Sequence, residues 1–308
     1  MNNTLTSLVA VDWGTSSLRG ARLDAAGQVL EERSFDRGIM TVPPGGFATV
    51  FEACFADWRG AEGSLCLVSG MAGSRQGWIE APYCACPAGF DEVAAKLVWI
   101  TDAPAGWRIA VVPGLSCEHP ASTPGASGGV PDVMRGEEVQ IFGAMRLTGL
   151  RDGLFVLPGT HSKWATVQDG RITGFRSFMT GEVFALLRQH SILSKTVAAD
   201  APFDEAAFAQ GVAQAQGNAG LLHHAFSART LSLLGRMDAG PLASYLSGLV
   251  IGEELRAQTL VPGAEVVLIG STALTHRYTL ALATHAVPTR TLGAEATWAG
   301  LAALAAVL

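Results

Sequence analysis

One stretch of the chain occurs twice, and this limits the fold more than any other feature. DWGTSSLRGARLDAAGQVLEERSF (12–35) and LPGTHSKWATVQDGRITGFRSF (157–178) align through a Gly-Thr-x-Ser turn and both close on Arg-Ser-Phe. The second copy is two residues shorter, and the deficit falls at the hairpin. Each copy opens with an apolar strand, Leu8–Val11 or Leu154–Leu157, that runs into the glycine turn. An alternating strand follows, Ser17–Leu23 or Lys163–Gln168, then a turn signal, Asp24-Ala25-Ala26-Gly27 or Asp169-Gly170. Gln28–Ser34 and Arg171–Ser177 are the third strands. A unit that returns after about half the chain is a duplicated domain, since solenoid repeats recur every ~20–50 residues.

Around the copies, buried strands are expected at Leu65–Ser69, Arg108–Val112 and Glu265–Ile269. Helices are expected at Phe47–Trp58, Met134–Leu150, Glu182–Leu193, Asp204–Gln216, Ala219–Arg236, Leu242–Gln258, Ala273–Thr284 and Leu292–Leu308. His119–Pro131, rich in Pro, Gly and Ser, reads as a loop. Strands alternating with helices give an α/β class. The expected domains are 1–150 and 151–308, with the last helix, 292–308, folding back onto the first.

Composition narrows the function. A chain of 308 residues that is 49% apolar buries a large core, so wholesale disorder is excluded. Mean hydropathy is +0.29, but the longest uncharged run, 206–228, carries Gln210, Gln214, Gln216 and Asn218, so no membrane span is expected. The first residues lack a basic segment and lead directly into a strand, which argues against a signal peptide. A net charge of −6 without a basic cluster argues against nucleic acid. The cysteines at 54, 66, 84, 86 and 117 are odd in number and unpaired in spacing, which points to a cytoplasmic protein. Cys84 and Cys86 have no second pair at zinc-finger spacing and read as plain thiols. The oligomeric state stays open, a homodimer included.

The motifs point to phosphate. In Asp12-Trp13-Gly14-Thr15-Ser16-Ser17, glycine lets the backbone approach a phosphate, the hydroxyls of Thr15 and Ser16 donate, and Asp12 offers an oxygen to Mg2+ through water. A strand end capped by Asp and Ser is the plainer reading. Gly159-Thr160-His161-Ser162-Lys163 lies at the matching place, with Leu157 where the first copy has Asp12. Two phosphate turns and one metal carboxylate suit a single nucleotide held by two related domains. Gly270-Ser271, at a strand end that opens a helix, reads as a nucleoside contact. Neither a P-loop signature nor GxGxxG is present.

These three motifs together resemble the sugar kinase/actin/Hsp70 superfamily. Several longer strings are similar to the 2-dehydro-3-deoxygalactonokinase family. They include DWGTSSLRGARL (12–23), SGMAGSRQGWIEAPY (69–83), PGL (113–115) and VMRGEEVQIFGA (133–144). LPGTHSKW (157–164), FMTGE (178–182) and LSGLVIGEE (246–254) continue the match across nearly the whole chain. The resemblance implies two ribonuclease-H-like domains with an interdomain ATP cleft, ATP and Mg2+ as cofactors, and phosphorylation of 2-dehydro-3-deoxy-D-galactonate on its 6-hydroxyl during galactonate breakdown. For such a sugar acid, Ser74, Arg75 and Gln76 are expected at the carboxylate, Trp78 as a wall, and Arg135 at the acid or at the transferring phosphoryl. By analogy with the glycerol and xylulose kinases, Glu137 is the expected general base, with Glu138 as the alternative. Arg19 is expected to touch the substrate or bridge to a carboxylate, and Glu182 to reach metal or substrate or to cap a helix. Glu253-Glu254 reads as the polar face of a helix.

Overall fold

A computed structural model describes residues 8–60, 63–120, 129–198 and 200–308. Residues 1–7, and 121–128 within the loop expected at His119–Pro131, lie outside the described residues. The chain divides into two compact units: Met1–Gly153 with Ala165–Arg176 and Ala294–Leu308, and Leu154–Trp164 with Ser177–Gly293. The division thus departs from a single cut near residue 150.

In the first unit, β1 (Leu8–Trp13), β2 (Leu18–Leu23) and β3 (Val29–Phe35) form the antiparallel part of the sheet. Then come α1 (Phe47–Phe55), β4 (Ser64–Gly70), β5 (Cys84–Ala85), α2 (Phe90–Ala94), β6 (Val98–Trp99) and β7 (Trp107–Val111). The sheet order is β3-β2-β1-β4-β7-β6, with β4 parallel to β1 and β7 parallel to β4. The apolar sequence of β1 follows from its place between β2 and β4, where both faces are covered. β8 (Leu115–His119) and β9 (Val130–Met134) form a small sheet with β5, and α3 (Glu137–Thr148) follows.

The second copy gives β10 (Gly153–Leu157), β11 (Ser162–Gln168) and β12 (Arg171–Phe178). Asp169 and Gly170 both take positive φ, 52° and 76°, as a primed hairpin turn requires. The helices α4 (Thr180–His190), α5 (Glu205–Gln214), α6 (Leu221–Leu233) and α7 (Ala239–Arg256) precede β13 (Val266–Ile269). After it come α8 (Thr272–Ala283), β14 (Thr289–Leu292) and α9 (Glu295–Ala305). The order β12-β11-β10-β13-β14, with β13 parallel to β10, repeats the first sheet's β3-β2-β1-β4-β7. Three antiparallel strands followed by parallel ones, in this order, make each sheet ribonuclease-H-like. α9 packs on α3 in the first unit, where a side chain at Gly300 would overlap the Val139 carbonyl.

The first core gathers Val9, Val11, Trp13, Phe51, Phe55, Cys66, Val68 and Ile109. The second gathers Val156, Trp164, Phe208, Val212, Leu268 and Tyr278. Each fully buried side chain of this size contributes about 1.5–3 kcal/mol. Among the described residues, no helix is long and apolar enough to cross a membrane. All five cysteines are free thiols, and burial pushes Cys86 up to about 12, which keeps it protonated.

Candidate active site

In the first unit, the strand register brings the site together. Asp12, one residue from the end of β1, lies opposite Arg19 on β2 and Ser69 on β4. Arg19 Nη2 donates to Asp12 Oδ2 at 2.5 Å, so of the two sequence readings for Arg19 the described contact is the bridge to a carboxylate. The Asp12 side chain keeps 17% exposure, and Ser69 Oγ is buried with no partner. Gly70, at φ +87°, passes so close that a Cβ would sit 3.1 Å from Asp12 Oδ1 and 2.9 Å from the Trp13 carbonyl. Gly136, at φ +103°, lies against Gly70 on its other side. The Asp12 turn and the start of α3 therefore meet across two glycine backbones, both in the positive-φ region that side chains disfavour.

The start of α3 holds its two carboxylates differently. Glu137 Oε2 accepts from the Arg135 N–H at 2.9 Å, and its side chain is half-buried. Glu138 is fully buried; its Oε2 accepts from the Gly136 N–H at 2.7 Å, and its Oε1 has no partner. Burial, with Glu137 alongside, pushes the Glu138 carboxyl up to about 8, so it is mainly protonated at neutral pH.

Arg135 lies with its guanidinium 4.5 Å from the Tyr83 ring centroid and donates from Nη2 to the Ala81 carbonyl at 2.8 Å. Its Nε and Nη1, like Ser74 Oγ, are buried without partners. Such unpaired buried donors are unfavourable by about 1–3 kcal/mol each until an acceptor arrives. The rest of the expected acid loop is arranged otherwise. Arg75 is 87% exposed and pairs with Glu80, and Gln76 is exposed. Trp78 packs into the core, edge-on to Trp13 at 5.9 Å and stacked on Phe47 at 6.3 Å.

In the second unit, Thr160 and His161 are exposed at the turn, as Thr15 and Ser16 are in the first. The next two residues turn inward. Ser162 is fully buried and donates to Glu254, so its hydroxyl is not turned to a ligand. Lys163 is 6% exposed and donates from Nζ to Ser177 Oγ at 2.5 Å. His161 Nε2 lies 2.6 Å from Glu182 Oε2 at the surface, and the Glu182 N–H also donates to the Thr160 carbonyl.

The reading of Glu253-Glu254 as one polar face is overturned. Glu253 pairs with buried His224 at 2.8 Å and with Arg256 at 2.6 Å. Glu254 is 3% exposed and accepts hydrogen bonds from Ser162, Trp164, Thr180 and Tyr278. Two adjacent glutamates of a helix buried nearly all round cannot share a solvated face. Beside the turn, Gly159, Gly181, Phe184, Ile251, Leu274 and Arg277 line a pocket. Gly270 follows β13 next to Pro158, and Ser271 is the residue before α8.

Sequence reasoning missed one pair of residues. In both copies a glycine stands three residues after Arg-Ser-Phe: Gly38 and Gly181. Each lays its backbone on the turn. A Cβ on Gly38 would be 2.2 Å from the Thr15 carbonyl, and one on Gly181 would be 2.4 Å from the Gly159 carbonyl. The Ile39 N–H donates to the Gly14 carbonyl as the Glu182 N–H does to Thr160. The signal was readable, because the repeat extends to Arg-Ser-Phe-x-x-Gly. Among the described residues, no group of three or more His, Cys, Asp or Glu side chains could hold a metal ion.

With this geometry in place, comparison with known proteins is specific. The family model for 2-keto-3-deoxy-galactonokinase matches residues 12–304. A Rhizobium meliloti (strain 1021) protein named "Probable 2-dehydro-3-deoxygalactonokinase" is 38% identical over 302 residues, covering 96% of this chain and 95% of the relative. An Escherichia coli (strain K12) 2-dehydro-3-deoxygalactonokinase is 32% identical over 272 residues, covering 88% and 87%. A crystal structure from Sinorhizobium meliloti, named that of a "putative 2-dehydro-3-deoxygalactonokinase protein", superposes with a TM-score of 0.87 at 38% identity, covering 97% and 98% of the two chains.

Proposed function

The chain belongs to the 2-keto-3-deoxy-galactonokinase family, and on that premise we propose that it transfers the γ-phosphoryl group of ATP to the 6-hydroxyl of 2-dehydro-3-deoxy-D-galactonate, in galactonate breakdown in the cytoplasm. The observation that carries the proposal is the pair of equivalent glycine turns, of which only the first bears a carboxylate, Asp12. One nucleotide needs phosphate donors from both turns and a single metal arrangement.

The residues fit Mg2+ held through water. Asp12 is a partly exposed carboxylate and, among the described residues, belongs to no cluster of three or more metal-ligating side chains, which suits an ion whose other ligands are nucleotide phosphates and waters. Asp12 would hold the ion, which would supply charge neutralisation to the nucleotide phosphates. The backbone N–H groups of Thr15, Ser16, Gly159, Thr160 and His161 and the hydroxyls of Thr15, Ser16 and Thr160 grip the nucleotide phosphates, Gly14 shaping the first turn while its own N–H donates to the Ser17 carbonyl, with Gly270 and Ser271 nearer the nucleoside. Arg19 holds the Asp12 carboxylate in place. Arg135 and Ser74, with unpaired buried donors, take the carboxylate of the sugar acid. Glu137, half-buried at the start of α3, accepts the proton of the 6-hydroxyl, with the fully buried Glu138 as the alternative base. Positioning and charge stabilisation supply most of the acceleration in such a transfer.

The test is a substrate panel with coupled ADP detection. The proposal expects 2-dehydro-3-deoxy-D-galactonate to be turned over with the highest kcat/KM. Faster turnover of gluconate, glycerol or a hexose would overturn the substrate assignment. Arg135→Met is expected to raise KM for the sugar acid at least about tenfold, as loss of a charge-assisted pair does, while Arg75→Met, with its exposed partner, stays within about twofold. The reverse order would move the acid site to Arg75.

A further inference from the structure

Glu254 is the most completely bonded buried carboxylate of the second unit. Its Oε1 accepts from Ser162 Oγ at 2.7 Å and from Trp164 Nε1 at 2.5 Å. Its Oε2 accepts from the Tyr278 hydroxyl at 2.7 Å and from the Thr180 hydroxyl. The donors come from β11, from the first residue of α4 and from α8, while the acceptor comes from α7. Among the described residues no cation pairs with it. Burial raises its carboxyl, and the four donors oppose that rise.

A sealed carboxylate compensated only by neutral donors is a poor device for stability, because apolar side chains of the same volume pack as well or better. It is an effective device for geometry, because both oxygens and all four donors are directional. The donors surround the exposed part of the turn. Ser162 follows Thr160 and His161, and Thr180 precedes Gly181, whose backbone lies on the Gly159 carbonyl. Thr180 and Tyr278 also line the pocket beside the turn.

We propose that Glu254 is the positioning residue of the second phosphate turn, joining residues 159–162 to the first turn of α4 and to α8 so that the turn's N–H groups stand aimed at a nucleotide phosphate before it binds. This rests on the ATP reading above. Glu254 acts through Ser162 and Thr180 and does not itself touch the nucleotide. A glutamine at this position offers one acceptor oxygen in place of two, and its NH2 faces donors, so part of the join opens.

The experiment is calorimetric titration of ADP into wild type, Glu254→Gln, Thr180→Val and Tyr278→Phe, alongside KM for each substrate. Glu254→Gln is expected to raise the ADP Kd and the KM for ATP together by about tenfold, with KM for the sugar acid within about twofold. Thr180→Val and Tyr278→Phe leave the carboxylate in place and are expected to raise the ADP Kd by about two- to fivefold each. A merely structural role would lower Tm without splitting the two KM values. A folded Glu254→Gln protein with the wild-type ADP Kd overturns the inference. If that variant does not fold, wild-type Kd values in both single-donor variants overturn it. Wild type that binds no ADP refutes the ATP reading and this inference with it, whereas ADP binding by wild type that is untouched in every variant refutes this inference alone.

Discussion

The two glycine turns share a sequence pattern and differ in where they keep their carboxylate. In both, the residue five places after the turn glycine donates a side-chain N–H to an acid: Arg19 to Asp12 in the first, its counterpart Trp164 to Glu254 in the second. Asp12 belongs to the first copy's own strand and keeps 17% exposure. Glu254 is borrowed from a helix about ninety residues downstream and is 3% exposed. On the proposed reading, the partly exposed Asp12 carboxylate, held by Arg19, serves the metal. The Glu254 carboxylate, sealed under four donors, fixes backbone. Both turns are braced by a glycine backbone, with the two carbonyls exchanged: Gly38 lies on Thr15 and the next N–H reaches Gly14, while Gly181 lies on Gly159 and the next N–H reaches Thr160. On the reading proposed above, the two turns keep a glycine brace and differ in function through the placing of one acidic side chain.

The largest expected effect breaks this comparison at its strongest point. Asp12→Ala should lower kcat by about a thousandfold or more with Tm nearly unchanged. Leu157→Ala, at the equivalent position in the second copy, should cost about 2–5 kcal/mol of stability and leave kcat per folded molecule intact. Thermal melts and initial rates on both variants check the pair; equal kcat losses would erase the asymmetry.

Next come the braces. Gly38→Ala and Gly181→Ala each push a Cβ into a backbone carbonyl, at 2.2 Å and 2.4 Å, and should each destabilise by about 1–3 kcal/mol. Urea unfolding of the two variants measures this, and a neutral result at one of them would limit the shared clamp to the other copy.

Glu138 gives a pH test with a defined sign. Its folded carboxyl titrates near 8, whereas an unfolded glutamate titrates near about 4.3. Between those values the folded state holds the extra proton, so its contribution is fully present below the lower value and is lost as pH rises through the upper one. Tm of wild type should therefore fall relative to Glu138→Gln as pH is raised from 5 to about 8. Parallel Tm curves would contradict this.

The smallest effects compare the glycines that follow β4 and β13. Gly70→Ala meets positive φ and a crowded Asp12, and should cost about 1–3 kcal/mol. At Gly270 the nearest atom to an added Cβ is 3.5 Å away, so Gly270→Ala should stay within about 0.5 kcal/mol. Chemical denaturation of both variants tests the difference.

Most of this scaffold was legible in the residues, for particular reasons. The hairpins announce themselves through Asp24–Gly27 and Asp169-Gly170, and β4, β7 and β13 through apolar runs too short for helices. The sheet of β5, β8 and β9 was not legible: β5 has two residues, and Pro131 interrupts the pattern of β9. At the site, Asp12 and the two turns could be read from local spacing. Arg19 could be placed only once strand register set it opposite Asp12. The split between Glu253 and Glu254 depends on tertiary packing, since adjacent residues of a helix buried nearly all round carry no periodic mark of which one faces inward. Trp78 sits in a loop whose composition suggests a ligand, yet its ring completes the core around Trp13.

The central claim is that the first turn carries the chemistry and the second carries the grip. The most direct measurement is the rate of phosphoryl transfer to 2-dehydro-3-deoxy-D-galactonate as a function of ATP·Mg2+, for Asp12→Asn and Glu254→Gln in one assay. Saturating ATP·Mg2+ should restore Glu254→Gln to within about threefold of wild-type kcat, while Asp12→Asn stays about a thousandfold down at every concentration. Recovery of Asp12→Asn at saturation would contradict the account.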